Sequence, residues 1–132
     1  MKVSRKIKVL IVDDSLLFRE TLAREIAKDF GIEVIGTAED PFVARDKILE
    51  LKPDVVTLDV EMPKMDGIAF LKKLMPQYPL PVIVVSSIGK NVFDALDAGA
   101  VDFVTKPDAG KPGSMNSFIN ELIVKIKIAS TA

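Results

Sequence analysis

The sequence predicts an α/β domain: a parallel β-sheet covered by helices on both faces. Five short β-branched runs, nearly continuous rather than alternating in polarity, read as strands buried on both sides. The segments between them place apolar residues three and four apart, as amphipathic helices do. The chain has 132 residues, 48% hydrophobic and 28% charged, which is one domain's worth with enough apolar material for a core without cross-links.

The elements follow in order. Ile7 to Val12 is the first strand, and Asp13-Asp14-Ser15 stops it and offers N-cap residues. Phe18, Leu22, Ile26 and Phe30 recur every four residues and predict a helix ended by Gly31. Glu33 to Ala38 is a second strand. Asp40-Pro41 is an N-cap with Pro at the first helical position, and Ala44, Ile48 and Leu51 give that helix an inner face. Val55 to Asp59 is the third strand, ending in a carboxylate. Ile68, Leu71, Leu74 and Met75 mark a helix closed off by Pro76 and Pro79. Pro81 to Ser87 is the most apolar strand and ends in two hydroxyls. Lys90 to Ala98 reads as a short helix capped by Gly99, and Val101 to Thr105 as the fifth strand, followed by Lys106-Pro107. Asp108 to Asn116 reads as a loop, and Met115, Phe118, Leu122 and Ile126 define a last helix.

Composition excludes much chemistry. With no Cys there is no disulfide, thiolate metal site or Cys nucleophile; with no His there is no Ser-His-Asp triad, His–metal site or phosphohistidine carrier. Lys+Arg of 18 against Asp+Glu of 19 leaves no basic excess for nucleic acid or an anionic membrane. The apolar run after the basic first residues is too short for a signal peptide, and no stretch is long enough to span a bilayer. A cytoplasmic protein that binds neither nucleic acid nor membrane is the expectation.

In a doubly wound sheet, ligands sit at the carboxyl ends of the strands. Strand one ends in Asp13 and Asp14, strand three in Asp59 with Glu61 two residues on, strand four in Ser86 and Ser87, and strand five in Lys106. Acidic groups meeting at one rim repel, and a divalent cation relieves them; with oxygen ligands alone, Mg²⁺ is the natural choice. A carboxylate is then the plausible nucleophile. Its matching electrophile is a phosphoryl group, whose oxygens Mg²⁺, a lysine and a hydroxyl together neutralise. Asp59, pinned by Val55, Val56 and Leu58, is the leading candidate. Each residue alone has a plainer reading: Asp13-Asp14 as a helix cap, the serines as strand-end polar groups, Lys106 as a turn residue. Their joint occurrence at successive strand ends argues against coincidence.

The segments KVLIVDDS, PDVVTLDVEMPKMDG, PVIVVSS and GAVDFVTKP closely resemble the receiver domain of two-component response regulators, over residues 6–128. Within receivers, TLDVEMPKMDGIAFLKKLM and VSS…GAVDFVTKP look most like the regulatory domain of chemotaxis protein-glutamate methylesterases. The resemblance implies a flavodoxin-like fold with strand order 2-1-3-4-5, and 1–132 as one receiver domain. It implies Asp59 as phospho-acceptor; Asp14 as a direct and Asp13 as a water-mediated Mg²⁺ ligand, with the Glu61 backbone carbonyl completing the shell. It further implies Ser86 as the phosphoryl-binding hydroxyl, Lys106 as the family's lysine before a cis proline, here Pro107, and Phe103 as the aromatic switch. The implied partners are a histidine kinase as phosphodonor and a methylesterase output domain or other effector.

Two departures qualify the resemblance. The methylesterases carry a catalytic domain with a Ser-His-Asp triad, which a chain without His cannot contain. The expectation is therefore a regulatory domain alone or a stand-alone receiver, not an enzyme beyond promoting its own phosphorylation and dephosphorylation. The stretch from Ser86 to Lys106 is also roughly one helical turn short for the subfamily. The rival reading is a Mg²⁺-dependent phosphatase with an aspartyl nucleophile, of haloacid-dehalogenase type. Such enzymes carry a second Asp two residues after the nucleophile, where this chain has Glu61, and there is no cap domain to hold a substrate. A flavin or nucleotide binder lacks its Gly-rich phosphate loop.

Overall fold

The computed structural model describes residues 5–61, 66–87, 92–108 and 110–131. Strands β1 (Ile7–Val12), β2 (Ile32–Ala38), β3 (Val55–Asp59), β4 (Val82–Ser86) and β5 (Asp102–Thr105) alternate with helices α1 (Leu16–Ile26), α2 (Pro41–Leu51), α3 (Gly67–Gln77), α4 (Val92–Asp97) and α5 (Ser114–Ala129). The strands form a sheet in the order β2-β1-β3-β4-β5, every pair parallel. This is the flavodoxin-like architecture and strand order that the motifs implied.

Side-chain alternation along the strands builds two core layers. Val9 and Ile11 of β1, Val55 of β3, and Ile83 and Val85 of β4 pack with Leu22 and Ile26 of α1 and Phe118, Leu122 and Ile126 of α5. Leu10 and Val12, Val56 and Leu58, and Val82 and Val84 face the other way, onto Ala44 and Ile48 of α2, Leu71 and Leu74 of α3 and Ala95 of α4. Burial of each Val, Leu, Ile or Phe side chain among them contributes about 1.5–3 kcal/mol, so β1, β3 and β4 are firm supports for whatever their ends carry. Because β1 lies between β2 and β3, the winding reverses there, and a crevice opens beyond the ends of β1 and β3.

Local chemistry explains the element ends. The Ser15 hydroxyl accepts from the Phe18 amide at 3.3 Å and starts α1; Asp40 accepts from Val43 at 2.9 Å for α2; Asp66 accepts from Ile68 at 2.9 Å for α3. Gly67 presses α3 against the chain leaving β3: a Cβ there would lie 2.6 Å from Val60 Cα. Gly99, with φ of 116°, turns the chain out of α4 where any side chain would strike Met75.

Several expectations need correcting. α1 stops at Ile26 rather than at Gly31, because the Lys28 and Asp29 amides bond to carbonyls only three residues back, and Asp29 Oδ1 accepts from the Gly31 amide at 2.8 Å. Phe30 therefore leaves the apolar stripe and stands 94% exposed. Pro76 does not close α3; it lies in the last turn, and the Tyr78 amide still bonds to the Leu74 carbonyl at 2.7 Å. α5 begins at Ser114, so it takes in Met115 as expected but also the end of the stretch Asp108 to Asn116 read as a loop, with Gly113 in the left-handed conformation before it. Three strands differ at their ends by a residue or so: β2 includes Ile32, β4 is Val82–Ser86, and Val101 lies outside β5. The Lys106–Pro107 bond is trans, and the described residues contain no cis peptide. α4 is Val92–Asp97; the expected helix start at Lys90 lies outside the described residues.

Candidate functional site

The crevice at the carboxyl end of β1 and β3 gathers the strand-end residues singled out above. Asp13 and Asp59 are buried and Asp14 is exposed beside them; one carboxylate oxygen from each lies within 4.8 Å of the others. Asp13 is held twice. Its Oδ1 accepts from the Ser15 amide at 2.8 Å, and its carbonyl accepts from the buried Arg19 guanidinium at 2.7 Å. Asp59 ends β3 at 2% exposure, and its Oδ1 accepts from the Glu61 amide at 2.9 Å. Lys106 follows β5, where its amide bonds to the Ser86 carbonyl at 2.8 Å; that bond holds its backbone against the end of β4. Its Nζ lies 3.3 Å from each Asp59 carboxylate oxygen.

Burial shapes the electrostatics. The Asp13 carboxyl is pushed up to about 6 chiefly by burial, with the neighbouring Asp59 and Asp14 adding to it and the Ser15 amide and Lys106 opposing. Asp59 is raised too, again chiefly by burial; the Glu61 amide and Lys106 pull it back. Two buried carboxylates that resist ionisation, a third at the rim and only oxygen donors describe a place where a hard divalent cation fits, and Mg²⁺ is suited to few carboxylates with retained waters. Asp13, Asp14 and Asp59 are the side chains that would hold it.

Ser86 is buried at the end of β4, one residue beyond Val85, which pairs with Asp59 across the sheet. Its hydroxyl lies 3.4 Å from the Ser87 carbonyl. Phe103 in β5 is half-buried against the α3–α4 side of the sheet, with Lys125 Nζ 5.0 Å over its ring.

Sequence reasoning missed four residues. Arg19 anchors the turn that carries Asp13; a charged residue next to the Phe18–Leu22 stripe was the available signal. Lys111, from the loop before α5, lines the cleft of about 480 Å³ above Asp13, Asp59 and Lys106. Lys125 donates to the Phe103 carbonyl at 2.6 Å and pairs with Glu121 and Asp102. Burial lowers its pKa, but those partners leave it raised overall. The fourth is the Glu61 carboxylate, expected only through its backbone carbonyl. Its Oε1 accepts from the Ser87 amide and lies 3.9 Å from Lys106 Nζ.

A buried aspartate paired with a lysine, facing two further carboxylates at the switch point of this sheet, is the arrangement of a receiver. The chain belongs to the response regulator receiver domain family, whose sequence profile matches residues 9–112. More particularly, it is similar to the protein-glutamate methylesterase/protein-glutamine glutaminase 2 of Syntrophomonas wolfei, 65% identical over 128 residues, which cover 97% of this chain and 38% of that protein. The corresponding protein of Syntrophotalea carbinolica is 57% identical over 132 residues, covering 97% of this chain and 37% of that one. Among solved structures, the response regulator domain of Thermotoga maritima CheB superposes with a TM-score of 0.87 at 42% identity, covering 97% of this chain and 98% of that one. The chain thus spans under two-fifths of these curated relatives' length and matches the CheB receiver nearly end to end. No helix among the described residues is long and apolar enough to cross a membrane.

Proposed function

We propose that residues 1–132 form a phosphorylation-switched receiver of a cytoplasmic chemotaxis signalling system. In this reading Asp59 accepts a phosphoryl group from a histidine kinase, and the phosphorylated state relieves inhibition of a methylesterase output domain. The observation that carries it is Asp59, nearly sealed from solvent and 3.3 Å from Lys106, in a cluster with Asp13 and Asp14.

The step balances simply. An Asp59 carboxylate oxygen bonds to phosphorus while the bond from phosphorus to the donor imidazole nitrogen breaks, and the nitrogen leaves with the electron pair. Asp13, Asp14 and Asp59 would hold Mg²⁺, whose part when bound is to neutralise charge on the phosphoryl oxygens. Lys106 keeps Asp59 ionised against the effect of burial, then turns to the phosphoryl oxygens once the carboxylate has lost its charge. The Ser86 hydroxyl donates to another phosphoryl oxygen. That pull shifts the end of β4, and Phe103 swings inward, exchanging its contact with Lys125 for the core. The altered face comprises α4, β5 and α5.

The test is incubation with acetyl phosphate and Mg²⁺ followed by intact-mass measurement. One phosphoryl adduct, absent when EDTA is added, is the expected result. No adduct, or repeated turnover of a phosphomonoester, refutes the reading.

A further inference from the structure

We propose that the Glu61 carboxylate is an internal stand-in for the phosphoryl group. In the unphosphorylated domain it occupies the anion position beside Asp59, and phosphorylation must displace it. The proposal rests on the reading of Asp59 as acceptor and adds to it a group that competes for the same donors.

Glu61 lies two residues past the end of β3, and its amide already serves Asp59 Oδ1 at 2.9 Å. Its side chain turns toward β4, where Oε1 accepts from the backbone amide of Ser87, 26 residues away. The same oxygen is 3.9 Å from Lys106 Nζ, which is itself 3.3 Å from both Asp59 oxygens. Two donors of different origin, a lysine from the end of β5 and the first amide beyond β4, thus converge on one carboxylate oxygen. An anion-binding position has been built next to Asp59, and a residue of the chain occupies it.

A phosphoryl group on Asp59 would seek those donors. Backbone N–H groups and ammonium groups form their strongest hydrogen bonds with fully charged oxygens. The Ser87 amide has one hydrogen, so it cannot serve Glu61 and a phosphoryl oxygen equally. Two anions within reach of one lysine also repel each other. Glu61 is only 24% exposed at its side chain, so its departure means a rotation outward to water. With it goes the bond that ties the end of β4 to the chain beyond β3, which is where the switch must move. Glu61 would therefore hold the site in the unphosphorylated arrangement and slow entry of the phosphoryl group.

Glu61→Ala and Glu61→Asp test this together. Aspartate keeps the charge but is one methylene too short to reach the Ser87 amide, so it separates a specific latch from general repulsion of an anionic donor. In the wild type, hydrogen exchange at the Ser87 amide is measured without phosphodonor, and the initial rate of adduct formation with acetyl phosphate is measured at saturating Mg²⁺. Both variants should raise each quantity about tenfold, the factor that matches loss of one charge-assisted hydrogen bond. Rates within twofold of wild type in both variants overturn the proposal. So does an aspartate variant that matches wild type while alanine is faster, since charge alone would then explain the effect. Failure of the wild type itself to take up a phosphoryl group would instead refute the acceptor reading.

Discussion

Replacing Asp13 by Asn should stabilise the domain at neutral pH in EDTA. Asp13 is buried, and its carboxyl is raised from 3.8 to about 6, chiefly by that burial. A carboxyl raised on folding favours the protonated form in the folded state. Its contribution is therefore fully present below about pH 4 and is lost as pH rises through about 6. At 1.36 kcal/mol per pK unit, keeping this group ionised at pH 7.5 costs the fold about 3 kcal/mol. Water at the mouth of the cleft screens part of this, so about 2 kcal/mol is the working figure. Asparagine removes the charge and retains an oxygen for the Ser15 amide, which Asp13 Oδ1 meets at 2.8 Å. For 132 residues, about 2.1 cal/mol/K of unfolding entropy per residue converts that to a Tm rise of about 7 °C. Thermal unfolding of both proteins between pH 4 and 7.5 in EDTA is the assay. The gap should close near pH 4 and open toward pH 7.5. A gap that is absent at pH 7.5, or the same at every pH, would refute the electrostatic reasoning.

Other outcomes follow from the same geometry. Asp14→Ala should weaken Mg²⁺ binding and slow phosphorylation together, by titration and by adduct rate; wild-type affinity in that variant would remove Asp14 from the ligand set. Lys106→Ala should still accept some phosphoryl group but show smaller amide shifts on phosphorylation, because it loses the 3.3 Å link between Asp59 and β5; full shifts would contradict the coupling role. α4 has Ala95 as its buried residue and Phe93 82% exposed. Short helices depend on packing for their order, so amides from Val92 to Leu96 should exchange much faster than those of Leu22 to Ile26 before phosphorylation. Equal protection would make α4 a rigid element.

Much of this was legible before any coordinates, for identifiable reasons. A strand buried on both faces has to be continuously apolar, so IKVLIV, VVTLD and VIVVS announce a parallel sheet, and a parallel sheet brings all its carboxyl ends to one rim. Asp13, Asp59 and Lys106 converge for that reason. What was illegible depends on where loops turn. Phe30 fits the four-residue period of α1, yet the chain has already left the helix through three-residue turns, a competition that periodicity does not register. The Glu61 carboxylate could be placed only once β4 was known to end with the Ser87 amide facing it. Lys125 meets Phe103 through the packing of α5 on β5, and the loop between those two consecutive elements sets a register that periodicity alone does not show.

The most direct measurement of the central claim is reductive trapping of the phosphorylated residue. After brief exposure to acetyl phosphate and Mg²⁺, borohydride converts an aspartyl phosphate to homoserine, and peptide mass mapping then reports its position. The account predicts homoserine in place of Asp59 and nowhere else, with the signal gone in Asp59→Asn. Homoserine at Asp13 or Asp14, or an undiminished adduct in Asp59→Asn, would contradict it.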